Sequence, residues 1–332
     1  MAIKKASAVY LSGKIIERGV YVFSSRIDAL PDGEYFHAEI SAYNKGSFTF
    51  QERDEQIESI CIRRESREEP FRALCVVPRF NSIVGFYQKD GQEYSEALPD
   101  PRNKGGGVMK QLRLVDGSLY AVGSGGCVYK RLSKNNWILF DEGFDTRDTS
   151  YYRKQGYSFS QALDLSSANE TNINSINGIG ERLFCAGDRG EVFVRKNATW
   201  IKVESGTNSI LTDVQLDGGC DQSVYVCGWK GTLLKGDERG FSPLLTNVDD
   251  YLKSMAFFNG ELYVGGSKGL YKMVGQSLQL VQTNQNAPFN CVELDAYDGE
   301  LLVVSDRWFL VFDGVNWRRI NDPDNADVLQ RQ

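Results

Sequence analysis

One pattern recurs between Ile173 and Ile320: a short apolar strand, a polar turn ending in glycine, an aromatic and β-branched strand closing on glycine, a two-residue turn, then another strand. Its middle reads Leu183-Phe184-Cys185-Ala186-Gly187-Asp188-Arg189-Gly190, then Val224-Tyr225-Val226-Cys227-Gly228-Trp229-Lys230-Gly231, then Leu262-Tyr263-Val264-Gly265-Gly266-Ser267-Lys268-Gly269. A fourth copy, Leu301 to Trp308, keeps the pattern and replaces both glycines. Gly187, Gly228, Gly265 and Ser305 are 41, 37 and 40 residues apart. A period near 40 built from short strands and tight turns predicts β-propeller blades.

The first half carries weaker copies. Ala8 to Leu11 and Val20 to Phe23 read as strands, Glu34 to Ala42 alternates, and Ser47 to Phe50 returns from a turn at Asn44-Lys45-Gly46. Ile57 to Ile62 then closes the first blade, Ala73 to Val77 is an inner strand, and Ile83 to Tyr87 is its neighbour before the turn Lys89-Asp90-Gly91. The third copy runs from Gln111 through Gly126 to Tyr129. Blades near Gly46, Gly91, Gly126, Gly190, Gly231, Gly269 and Trp308 make an all-β propeller of seven blades with four antiparallel strands each, or six if the first copy is only a strand supplement. The expected domain is one propeller over residues 1–320, with an insertion at 141–172 between blades 3 and 4 and a polar tail at 321–332. Trp137, Trp200 and Trp317 each begin an outer strand, where Phe241 stands in blade 5, and read as structural wedges between blades.

Composition narrows the function classes. The formal net charge of −6 opposes general nucleic-acid binding, which rests on many phosphate-neutralising cations. No apolar run is long enough to cross a membrane. Seven cysteines, odd in number and set mostly in apolar strands, suit a reduced cytoplasmic protein. His37 is the sole histidine, which excludes histidine general bases and multi-histidine metal sites. Cys220 and Cys227 lack a second pair at ligand spacing, and Gly105-Gly106-Gly107 lacks the Gly-Lys-Ser/Thr of a phosphate loop. Asp322, Asp324 and Asp327 lack the rest of a calcium loop and read as a solvated tail. No catalytic residue, metal or cofactor is expected.

The run Gly187 to Val214, with Gly-Asp-Arg-Gly, Glu191-Val192-Phe193-Val194, Thr199-Trp200 and Ser205-Gly206-Thr207, resembles bacterial BNR-type and Ycf48-like (photosystem-assembly) propeller repeats. The resemblance covers about the last two thirds of the chain and implies the fold. The full sialidase-type Asp box, Ser-x-Asp-x-Gly-x-Thr-Trp, is absent, which speaks against glycosidase activity.

Blade topology turns the repeat into a map of faces. Turns between second and third strands, and connections from each outer strand to the next inner strand, emerge on one side. Arg189, Lys230, Lys268 and Arg307 recur in those turns, with Trp229 and Trp308 beside them, so a cationic rim is expected there. Gly187 lies 64 residues after Gly123, so roughly 25 extra residues enter the same face, bearing Tyr151, Tyr152, Arg153, Tyr157 and Phe159. These residues predict a monomeric, non-enzymatic scaffold that binds a protein with an acidic surface. One specific form is a bacterial immunity protein that neutralises a cognate toxin; the alternative is a propeller that binds carbohydrate or cleaves glycosides.

Overall fold

The computed structural model describes the chain from Ala6 to Gln330 except residues 31–36, 81, 101–107, 146, 219–221 and 286–287. Gly105 to Gly107 and Cys220 therefore lie outside the described residues. Among the described residues, twenty-eight strands form seven four-stranded antiparallel sheets, each from consecutive strands. Blade 1 comprises β1 (Ala8–Glu17), β2 (Val20–Ile27), β3 (Ala38–Asn44) and β4 (Ser47–Arg53). The others are β5 to β8 (57–97), β9 to β12 (109–139), β13 to β16 (173–203), β17 to β20 (211–243), β21 to β24 (252–280) and β25 to β28 (291–321). The ring is a seven-bladed β-propeller.

The early register differs from the sequence expectation. β5 (Ile57–Arg63) opens blade 2 as its inner strand instead of closing blade 1, and Ala73–Pro78 is the second strand. Gly46 and Gly91 turn the third strand into the fourth, one hairpin later than their counterparts. The cause is local: the second strands of blades 1 and 2 end at Ile27 and Pro78, without the glycine that marks this point in blades 3 to 6.

Every inner strand carries a β-bulge at the same place. The residue just after it is Ser12, Ser59, Gln111, Ser175, Asp213, Ser254 or Glu293. Six of these side chains accept a backbone N–H of the next blade: Leu112 on Ser59 (3.1 Å), Ile176 on Gln111 (3.0 Å), Val214 on Ser175 (3.2 Å), Met255 on Asp213 (2.8 Å), Leu294 on Ser254 (3.1 Å) and Gly13 on Glu293 (2.8 Å). An inner strand is a sheet edge whose amides face a channel, and these bonds satisfy it without extending the sheet.

Among the described residues no strand is exchanged between blades 7 and 1, and side chains fasten the two. Carboxylates of blade 7 do so: Asp295 accepts Ile15 N (2.8 Å), Asp298 accepts Arg18 N (2.8 Å), and Glu300 accepts Gly19 N (2.9 Å) and the Tyr21 hydroxyl (2.8 Å). Tyr10, Phe23 and Phe309 fill the apolar side of the seam, with Phe23 and Phe309 centroids 4.5 Å apart. The expected polar tail is a clasp. Asp322 accepts the Tyr10 hydroxyl (2.8 Å), and Asn325 accepts Ala8 N (2.9 Å) while donating to Arg307 O (3.0 Å), before helix α3 (Ala326–Leu329). Asp322 and Asn325 are both buried.

Trp137 and Trp200 are buried at the blade junctions, and each indole N–H has an acceptor at 2.7 Å, Glu96 Oε2 and Phe140 O respectively. Trp317 is only half-buried, stacked on Phe312 at 4.5 Å. The six described cysteines are buried free thiols.

Candidate functional site

The upper face carries the turns from second to third strands and the connections between blades, which bond one another. Gly126 N donates to Thr171 O (2.6 Å), Gly190 N to Ser209 O (2.7 Å) and Gly231 N to Asp250 O (2.7 Å). Gly190 and Gly231 have φ of +71° and +65°, and a Cβ would meet Thr207 O at 2.0 Å or Val248 O at 1.7 Å, so only glycine permits this closeness.

The insertion rises from this face as a helical hairpin rather than a loop. Phe144 wedges its base against Trp200 (5.5 Å, stacked) and Phe193 (4.8 Å, edge-on). Asp148 caps α1 (Thr149–Lys154) by accepting Tyr151 N, and Ser158 with Gln161 forms a capping box on α2 (Phe159–Asn169). Tyr152 is the hub of the hairpin: it is buried, its hydroxyl accepts Asn169 Nδ2 (2.9 Å), and Tyr151 and Tyr157 pack edge-on against its ring. Arg153 is exposed and donates to Tyr157 O (2.9 Å). Tyr151, Tyr157, Phe159 and Leu163 are left facing solvent, Phe159 at 65% exposure.

Most side chains of the expected cationic rim are engaged within this chain. Arg189 grips the end of α2, donating to Ala168 O and Glu170 O at 2.5 Å each. Such a cation suits the carbonyl end of a helix. Lys268 donates to Asp249 O. Arg307 pairs with Asp28 at 2.5 Å; burial would raise the Asp28 carboxyl, but hydrogen bonds from Arg307 and Ser7 outweigh it and hold it below the usual range. Lys230 is exposed and makes no ion pair or hydrogen bond among the described residues. Trp308 lies in β27 (Trp308–Phe312) at 5% exposure, against Phe289 (5.0 Å) and under Arg319 (4.4 Å). The short Asp306-Arg307 turn starts the third strand at Trp308 and turns the indole inward. Trp229, at 42% exposure, is displayed and packs edge-on against Tyr251 (4.9 Å).

Hydrogen bonds join these pieces into one surface. From α2 the path runs through Arg189 to Gly190, across to Ser209, whose hydroxyl donates to Trp229 O (2.8 Å), and on to Tyr251. Leu163, Tyr251 and Leu245, all exposed, belong to this face and were not singled out from sequence. The available signals were Ser158-Phe159-Ser160-Gln161 as a helix start and the i, i+4 spacing of Phe159 and Leu163.

At the ring's axis lies a polar cavity of about 490 Å³ lined by the inner strands. Arg113 Nη1 bonds Asp213 Oδ1 (2.8 Å) and Ser175 Oγ (3.2 Å) in its wall, and Lys14 bonds Glu293. Burial alone would lower the Lys14 ammonium, yet Glu293 and Asp295 outweigh it and raise it. Burial pushes the Asp295 carboxyl up.

Comparison with known proteins gives likenesses in sequence and in fold. No family model matches the chain. It is 27% identical over 326 residues to the immune protein Tsi7 of Pseudomonas aeruginosa, covering 96% of this chain and 100% of that protein. The WD40 β-propeller domain of Doa1 is similar in structure, with TM-score 0.63 and 11% identity over 97% of this chain and 95% of that one. YCF48 bound to D1 peptide is similar at TM-score 0.59 and 14% identity, over 96% and 93%. Streptogramin B lyase, at 0.61 and 14% over 92% and 93%, shows that the fold also houses an enzyme. The likenesses to solved structures show the fold alone.

Proposed function

We propose that the chain is a bacterial immunity protein, a non-enzymatic scaffold that binds a toxin protein through its upper face and holds it inactive. The observation that carries this reading is the match with the Pseudomonas aeruginosa immune protein, which spans that protein's whole length and nearly all of this chain. A match of that extent is not one of a single repeat.

The upper face supplies the means. Tyr151, Tyr157, Phe159 and Trp229 are the residue types that dominate binding energy when they enter a partner's pocket. The hairpin that presents four exposed apolar side chains is already ordered by two N-caps, the Tyr152–Asn169 bond and the Arg189 grip. Little conformational freedom is left to lose on docking. Exposed Arg153, Lys154 and Lys230 would steer an acidic partner surface toward these anchors. Buried free thiols suit a reducing compartment, and a monomer leaves the face open.

Co-expression tests the proposal. Cells producing a candidate cognate toxin should survive only when this chain is produced with it. Survival restored by Phe159→Ala/Leu163→Ala as well as by the wild type would count against the hairpin, and no rescue by the wild type would count against the immunity role.

A further inference from the structure

The axial cavity holds two lysines that form no ion pair among the described residues. Lys110 in β9 (Met109–Val115) and Lys253 in β21 (Leu252–Phe258) occupy equivalent bulge positions on blades 3 and 6, and both line the cavity. Neither has a carboxylate within 4.0 Å among the described residues. Lys253 Nζ donates to the neutral amide oxygen of Asn290 (2.5 Å), and Lys110 Nζ has no hydrogen-bond partner among the described residues. Glu58, the acid beside Lys110, is shared with Arg79 (3.9 Å), and burial pushes its carboxyl up. Below Lys110 on the same strand, Arg113 makes its hydrogen bonds to described residues through Nη1, with none through Nε or Nη2 among them.

Half-buried ammonium groups without counter-ions are costly, and a concave mouth with low-dielectric walls concentrates their field. Both lysines stand one residue into their strands, at the end that meets the upper face. We propose that this mouth is an anion site, in which Lys110 and Lys253, with Arg113 beneath, receive a carboxylate or a phosphate. The anion is either a small free ion or an acidic side chain inserted by the docked partner; the second source rests on the function proposed above.

Calorimetric titration of the full-length protein at low salt, first with inorganic phosphate and then with a hexaglutamate peptide, tests the site. Backbone amide shifts should move at residues 110–113 and 253–255. Lys110→Met/Lys253→Met keeps the aliphatic stems and should weaken binding by about tenfold or more. Phosphate binding that the variant loses assigns a free anion, and peptide binding with phosphate inert assigns the partner's acid. A wild type that gives neither heat nor shifts with either probe overturns the proposal, whether or not the double variant folds. Undiminished binding by a folded variant overturns it as well. Toxin neutralisation in cells is read separately, so the channel site can fail while the immunity reading stands, and the reverse.

Discussion

Trp137 and Trp200 begin the outer strands of blades 3 and 4, and each fills a junction while its indole N–H meets a fixed acceptor. Replacing Trp200 by Ala removes both and should cost about 3–5 kcal/mol in urea unfolding. These tryptophans were legible because an outer-strand start recurs at a fixed distance from the turn glycine. Trp308 and Tyr152 were not, because their orientation depends on one missing turn residue and on a helix turn, neither of which periodicity reports. Arg189 shows the same limit: its side chain was read as facing outward to a partner, whereas it holds α2. Arg189→Ala should leave the melting midpoint of the ring nearly unchanged while amide exchange across residues 149–169 rises, a separation that hydrogen exchange measures directly.

At the scale of elements, the insertion was visible as an excess of about 25 residues over the repeat, but not as helices. α2 buries only Ala162 fully and turns Phe159 and Leu163 outward, so no apolar face announced a core-packed helix. The C-terminal clasp was hidden for the opposite reason: it is polar, and Asp322 and Asn325 work by hydrogen bonds that no hydrophobic pattern encodes. Asp322 meets Tyr10 at the closing seam much as Asp250 meets Tyr271 (2.9 Å) between blades 5 and 6, so the clasp stands where a covalent connection serves elsewhere. Asn325→Ala strands Ala8 N and should destabilise the protein by about 1–3 kcal/mol. A chain truncated after Asn321 should lose more and unfold with a broader transition.

For the whole molecule, repetition made the blade count readable, while closure depends on single carboxylates that repetition does not mark. Those carboxylates also set the response to acid. Burial would raise Asp250, but hydrogen bonds from Ser267, Lys268 N, the Tyr271 hydroxyl and Tyr251 N outweigh it and lower its carboxyl, as Arg307 and Ser7 do for Asp28. A depressed folded-state value stabilises above the unfolded value of about 3.9 and loses that contribution as pH falls through the folded one. Asp295, raised by burial, runs the other way. The urea midpoint should therefore hold from neutral pH down to about 5 and fall below about 4. Asp250→Ala, weaker by about 1–3 kcal/mol at pH 7, should converge on the wild type there. Which face meets a partner is a property of the assembled ring, and it is the central claim. Hydrogen exchange of this protein with and without the toxin partner proposed above tests it most directly: protection should appear over residues 149–170, 228–231 and 245–251. Protection confined to the lower-face turns around Lys196, Gly260 and Val315, with the hairpin unchanged, would contradict it.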